Sequence, residues 1–257
     1  MDNCLVERDG AILWITINRP ASLNALDPAT HRALHDAFNG FAADAALRVA
    51  ILTAAGERAF CVGSDLKMRA QTNADDHPPT GFGGITHRFD LMKPVIAAVN
   101  GLALGGGVEI VAACDLAVAA DHAQFALPEP RVGLAALGGG GLQRLARQLP
   151  LKHAMELVLT GRRLDAGEAQ RIGLINAVVP RAELKARTRA MAESIVAGAP
   201  LAIAASKQVM LQSLAMPDLA TALQARYEAA ERMLASEDAR EGQRAFVEKR
   251  PPIWQGR

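Results

Sequence analysis

The chain has 257 residues, half of them hydrophobic, and sets 28 Lys and Arg against 27 Asp and Glu. That length fits one large domain, or one domain with an appended module, and buries about 75% of its unfolded surface without disulfide or metal staples. The near-cancellation of charge leaves no net field for nucleic acid or an anionic membrane, so neither is an expected partner. Cys4, Cys61 and Cys114 are odd in number and lack metal-type spacing, which suits a reducing compartment. No twenty-residue apolar run and no charged-then-apolar N-terminal segment is present, so the expected location is the cytoplasm.

In chain order, the apolar run of residues 11–17 predicts a strand ended by Asn18-Arg19-Pro20. Asp27-Pro28 supplies an N-cap followed by proline at the first helical position. Leu34, Phe38 and Phe41 recur behind it at helical spacing, predicting an amphipathic helix over 28–43. On that helix His31 and His35 share a face at i, i+4, with Asp36 nearby; the pair is read as solvated helix face rather than a metal site. Residues 49–53, 95–99 and 116–119 predict short buried strands, the last following a helix opened by the glycines at 105–107. Strand, turn and helix at parallel-crossover lengths indicate an α/β core.

Residues 68–85 are polar, with Pro and Gly toward their end, and predict a mobile surface loop. The four glycines at 138–141 predict a second turn into a helix, with Arg144 and Arg147 on its surface. Beyond about residue 181 strand signals vanish, and helices are expected over 181–197, 200–213, 217–235 and 237–249. The reading is a core over 1–195 followed by a helical region over 196–257.

Two carboxylates stand out. Glu109 follows Leu104-Gly105-Gly106-Gly107-Val108 at a helix start, and Glu129 lies between Pro128 and Pro130, whose rings fix φ on both sides of it. Phe60-Cys61-Val62-Gly63-Ser64-Asp65-Leu66-Lys67 is a second glycine-bearing turn able to offer a backbone N–H. Glu109 alone is equally well read as a carboxylate gaining about 0.3–1 kcal/mol from a helix dipole, and Glu129 alone as an exposed loop residue. Together, two held carboxyls and two exposed amides are what proton transfer beside a carbonyl needs.

Other chemistries fail on spacing. A dinucleotide fingerprint needs glycine where Ile110 stands, and neither glycine run is followed by the lysine of a phosphate loop. Gly63-Ser64-Asp65 lacks the second glycine of a serine nucleophile turn.

These stretches, with Asn24-Ala25-Leu26, Lys93-Pro94-Val95-Ile96-Ala97-Ala98-Val99-Asn100-Gly101, Ala113-Cys114-Asp115-Leu116, Leu159-Thr160-Gly161-Arg162-Arg163 and Glu237-Asp238-Ala239-Arg240-Glu241-Gly242, resemble the enoyl-CoA hydratase/isomerase (crotonase) superfamily nearly end to end. The resemblance implies a spiral of ββα units with a helical C-terminal trimerisation region, assembled as a homotrimer or a dimer of trimers. It implies an acyl-CoA thioester substrate whose carbonyl lies between the N–H groups of Ser64 and Gly106. Ser64, Asp65, Leu66 and Lys67 map to the CoA path, and Phe246 and Lys249 to a CoA-contacting pair contributed by an adjacent subunit.

The same oxyanion hole supports many reactions, so the acids and bases decide. Carrying both Glu109 and Glu129 is the pattern of hydratases, and implies reversible syn hydration of a trans-2-enoyl-CoA. Glu109 is assigned as the base activating water and Glu129 as the acid protonating the α-carbon, with no metal and no cofactor beyond the CoA of the substrate. An isomerase working through Glu129 alone would be signalled by Ala or Gln at 109, and an RNA-binding scaffold by a basic stripe with degraded acid/base positions. Residues 81–91, 199–205 and 248–257 are similar to the carnitinyl-CoA dehydratase branch, which hydrates crotonobetainyl-CoA. That branch usually has Trp where this chain has Ser64, which removes one aromatic face for a quaternary ammonium.

Overall fold

A computed structural model describes residues 2–66, 68 and 77–257. Two sheets grow side by side as the chain spirals. Strands β1 (Cys4–Asp9), β2 (Ile12–Ile17), β3 (Val49–Ala54), β5 (Val95–Val99), β7 (Leu116–Ala120) and β10 (Ala177–Val179) form one sheet in that order. β4 (Ala59–Cys61), β6 (Leu102–Leu104), β8 (Gln124–Ala126) and β9 (Leu164–Asp165) form the second. Thus β3–β4, β5–β6 and β7–β8 each place one strand in each sheet, and neighbours within a sheet run parallel. Among the described residues only the β1–β2 hairpin and the β8–β9 pair are antiparallel. Gly10, at φ +60°, makes the two-residue hairpin loop possible.

The larger sheet is buried on both faces, and side chains alternate between them as the strand period demands. Leu13, Ile15, Ala50, Leu52, Ala97 and Val99 face the main core. Helix α1 (Pro28–Ala43) presses Leu34, Phe38 and Phe41, none of them exposed, into that same core. Trp14, Ile51, Ile96 and Val118 face the opposite way, toward Leu184 and Ala192 of α6 (Leu184–Val196). The Asp27 cap of α1 accepts the Thr30 N–H at 2.7 Å, and Pro28 occupies the first turn, as the sequence predicts.

Between the sheets' crossovers lie α2 (Gly106–Ala113), α3 (Gly141–Gln148), α4 (Leu151–Thr160) and α5 (Ala166–Arg171). After α6 come α7 (Pro200–Ser213), α8 (Leu219–Gln224), α9 (Glu228–Ala235) and α10 (Glu237–Glu248). The helix expected over 217–235 is two helices, because the chain turns extended at Ala225 and the Tyr227 hydroxyl caps the Ala222 carbonyl at 2.8 Å. Among the described residues no single helix is long and apolar enough to cross a membrane.

Two further expectations need correction here. His31 is not on a solvated face: it is 2% exposed, its Nδ1 accepts the Gly83 N–H at 3.0 Å, and its ring meets Phe82 edge-on. The surface loop expected at 68–85 is a buried wall at its C-terminal end, where Phe82 and Ile85 are at most 4% exposed. The cause is glycine: a Cβ on Gly84 would stand 2.5 Å from the His35 nitrogen, so only glycine lets this turn reach α1. Most of the rest of that stretch, residues 69–76, lies outside the described residues, as does Lys67.

Candidate active site

Three parallel strands of the smaller sheet, β4, β6 and β8, end side by side, and each delivers part of one cleft. Beyond β4, Gly63 turns the chain at φ +93°; a Cβ there would lie 3.2 Å from the Gly106 nitrogen. Only glycine permits this approach of the two turns. Its carbonyl accepts the Leu26 N–H at 2.8 Å, and Asp65 N–H donates to the Leu26 carbonyl at 2.9 Å. Because the peptide is planar and trans, the Ser64 N–H points opposite to the Gly63 carbonyl, away from Leu26.

Beyond β6, Gly105 at φ +54° swings the chain into α2, and its N–H is tied to the Ala126 carbonyl of β8 at 2.9 Å. Gly106 thus opens a helix whose first N–H groups are free of intrahelical bonds and carry the positive end of its dipole. Neither the Ser64 nor the Gly106 N–H donates to another described residue. The Phe82 ring packs directly on Gly106, where a Cβ would be 2.4 Å from its Cζ.

Glu109, one turn into α2, is 3% exposed, and its Oε1 accepts the Gly141 N–H at 2.8 Å. Beyond β8, Glu129 starts the tight turn Glu129–Val132 between its two prolines. It is half-buried, and its Oε2 has no hydrogen-bond partner among the described residues. Burial, and then the neighbouring Glu109 charge, push the Glu129 carboxyl above its ordinary range, against the pull of its own backbone N–H. The buried Cys61 thiol is pushed up to about 12 by desolvation and offers no nucleophile.

Ser64, Leu66, Gly106, Glu109 and Glu129 all line one cleft of about 330 Å³. Val132, Leu134 and Leu137 give its wall an apolar surface, and His77 adds an imidazole. Of the other candidates, Asp65 does not line the cleft; its carboxylate meets Arg19 instead. Lys67 lies outside the described residues. Phe246, 85% exposed, and Lys249, at φ +54° beyond α10, do not line the cleft of this single chain. Among the described residues no three His, Cys, Asp or Glu side chains converge as a metal-binding group.

The glycines at 138–141 do more than turn the chain. A Cβ on Gly139 or Gly141 would come within 2.7 or 2.9 Å of the Glu109 side chain, so the run seats that carboxylate and Gly141 holds it. Four glycines before a helix are the signal, though they do not reveal which carboxylate they receive. Arg144, expected on the surface, is half-buried and donates to the Thr86 carbonyl at 2.5 Å. Arg147 is exposed as expected.

A family model described as enoyl-CoA hydratase/isomerase matches residues 7–257. The chain belongs to that family. The carnitinyl-CoA dehydratase of Salmonella typhi is 46% identical over 258 residues, 97% of each chain. The crystal structure of enoyl-CoA hydratase from Mycobacterium tuberculosis H37Rv matches with a TM-score of 0.94 at 41% identity, over 100% of both chains. That of carnitinyl-CoA hydratase from Mycobacterium avium matches with a TM-score of 0.80 at 42% identity, again over 100% of both. The α/β spiral expected from the sequence is the observed fold of this family.

Proposed function

We propose that the protein is an enoyl-CoA hydratase, a hydro-lyase adding water reversibly and syn to a trans-2-enoyl-CoA. The observation that carries this reading is that Glu109 and Glu129 share one cleft with the unengaged N–H groups of Ser64 and Gly106. The two amides grip the thioester oxygen and strengthen their hold as it becomes an enolate. Glu109, steadied by the Gly141 N–H, takes a proton from water as the water oxygen bonds to the β-carbon. The displaced electron pair moves through the α-carbon to the thioester oxygen. Glu129, whose carboxyl burial pushes above its ordinary range, gives a proton to the α-carbon as the enolate collapses. The elements of water are added, and proton exchange with solvent resets both carboxyls. These steps use two carboxyls and two amides alone.

Loss of the enoyl-thioester absorbance on adding the protein to crotonyl-CoA tests the reading; an unchanged absorbance for both crotonyl-CoA and crotonobetainyl-CoA rejects it. Crotonobetainyl-CoA belongs in the assay because of the identity to the dehydratase of Salmonella typhi. The apolar wall of Val132, Leu134 and Leu137 favours the uncharged acyl group.

The helices after residue 195 serve as the trimerisation region in this proposal, and Phe246 and Lys249 complete the CoA site of a neighbouring subunit. Met210, Leu214, Leu219, Leu223 and Leu234 are each at least 69% exposed, more apolar surface than a lone chain ordinarily leaves in water. Light scattering is expected to give three or six times the 27.2 kDa chain mass; a monomer at micromolar concentration refutes the assembly.

A further inference from the structure

Arg19 sits in the turn between β2 and α1, and no sequence motif connects it with the cleft. Its Nη2 lies 3.1 Å from Asp27 Oδ2 and 3.1 Å from Asp65 Oδ2, and its Nη1 donates to the Ala25 carbonyl. The three side chains of this ion cluster are only 11–16% exposed. One cation between two nearly buried carboxylates is a poor source of net stability, because desolvation consumes most of the attraction. Its geometry is the informative part. Ala25 precedes Leu26 and Asp65 follows Ser64, so one guanidinium holds both flanks of the Leu26–Ser64 bridge.

The surrounding turn is built to keep that grip. Leu23 and Asn24 both take left-handed backbone conformations, at φ +52° and +56°, which non-glycine residues adopt at some cost. Asn24 is 1% exposed; its Oδ1 accepts the Arg19 N–H at 2.9 Å, and its Nδ2 donates to the Ala55 and Ala59 carbonyls. The turn is thereby pinned to the start of β4 through Asn24, and beyond its end through Leu26 and Arg19. Both backbone hydrogen bonds of the bridge, Leu26 N–H to the Gly63 carbonyl and Asp65 N–H to the Leu26 carbonyl, end on this turn.

We propose that Arg19 is a positioning residue for the reaction: by gripping Asp65 and the Ala25 carbonyl it locks the bridge that aims the Ser64 N–H at the thioester oxygen. The inference rests on the hydratase reading, in which that N–H is one of two oxyanion donors. It also gives Asp65 a different task from CoA contact, since its Oδ2 meets Arg19, its Oδ1 accepts the Met68 N–H at 3.4 Å, and it does not line the cleft.

Asp65→Asn keeps the side chain's shape and leaves the Arg19–Asp27 pair and the α1 cap in place, so it loosens the grip with little risk to folding. In the folded enzyme kcat for crotonyl-CoA hydration is expected to fall about tenfold or more, up to the 10²–10³ that loss of a whole oxyanion donor costs. KM is expected to stay within about threefold, the mark of an interaction made in the transition state. Arg19→Gln does the same, and the double variant is no slower than the slower single, because both break one link. A second readout needs no turnover. An unreactive aryl-acryloyl-CoA absorbs at longer wavelength when its bound carbonyl is polarised, and this shift is expected to shrink in Asp65→Asn. Wild-type kcat and a full spectral shift in folded Asp65→Asn would overturn the proposal, as would a rise in KM alone, which means CoA contact. If the wild type itself shows no spectral shift, the oxyanion reading falls first and Arg19 with it.

Discussion

Glu109→Gln lowers kcat for crotonyl-CoA hydration by about 10²–10⁴-fold, the range that a general acid or base contributes, and Glu129→Gln does the same. The glutamine at 109 still presents a carbonyl to the Gly141 N–H, so the cleft keeps its shape and only the proton acceptor is lost. An isomerase working through Glu129 alone would survive the first change and not the second. Full activity in either variant refutes the two-carboxyl mechanism.

The pH dependence has a definite sign. Glu129 acts protonated, and its raised pKa keeps it so to higher pH than an ordinary carboxyl allows. As pH rises through that pKa, kcat falls. Part of the shift comes from the Glu109 charge, so in the residual activity of Glu109→Gln the alkaline limb moves to lower pH. Stability follows the same group. With the folded pKa above the unfolded one, the stability linked to Glu129 is fully present below the unfolded value and is lost as pH rises through the folded value. Glu129→Gln removes that loss, so its thermal midpoint gains on the wild type between mildly acidic and mildly alkaline buffer. A gap independent of pH would refute the raised pKa.

The strongest sequence signals correspond to elements whose reasons are local. β2, β3, β5 and β7 are apolar runs buried on both faces, and α1 carries its own cap, proline and apolar stripe. The smaller sheet was not legible, since β4, β6 and β8 have three residues each and three residues carry no period. β1 is mostly exposed and owes its strand to pairing with β2. His31 was legible in principle: it precedes Leu34 and Phe38 on the buried stripe of α1, and that position outweighs its polarity.

The two glutamates stand out from their local context, but their meeting depends on β6 pairing with β8 at Leu104 and Ala126. That register is a non-local fact. The Gly141 amide and the Arg19–Asp65 pair were hidden for the same reason. A backbone N–H has no letter in the sequence, and 46 residues separate Arg19 from Asp65.

Gly107→Ala is expected to destabilise the protein by about 1–3 kcal/mol, the usual cost of overpacking, or more. Glycine at this helical position has no special backbone need, so alanine would ordinarily be favoured by about 0.5–1 kcal/mol. Contact decides the sign: the added Cβ would stand 2.0 Å from the Cys61 carbonyl oxygen and 2.9 Å from its carbon. Those are backbone atoms of β4 and have no rotamer through which to yield. Helix α2 must move off β4, and that motion separates Gly106 from Ser64, so kcat falls along with the thermal midpoint. Gly40→Ala in α1 is the matched control, because nothing lies within 4 Å of its Cβ and its φ is not positive. It is expected to stabilise by about 0.5–1 kcal/mol without touching kcat. Equal thermal midpoints for the two alanine variants would show that α2 and β4 are not packed as closely as the structure places them, and would remove the basis for two amides converging on one oxygen.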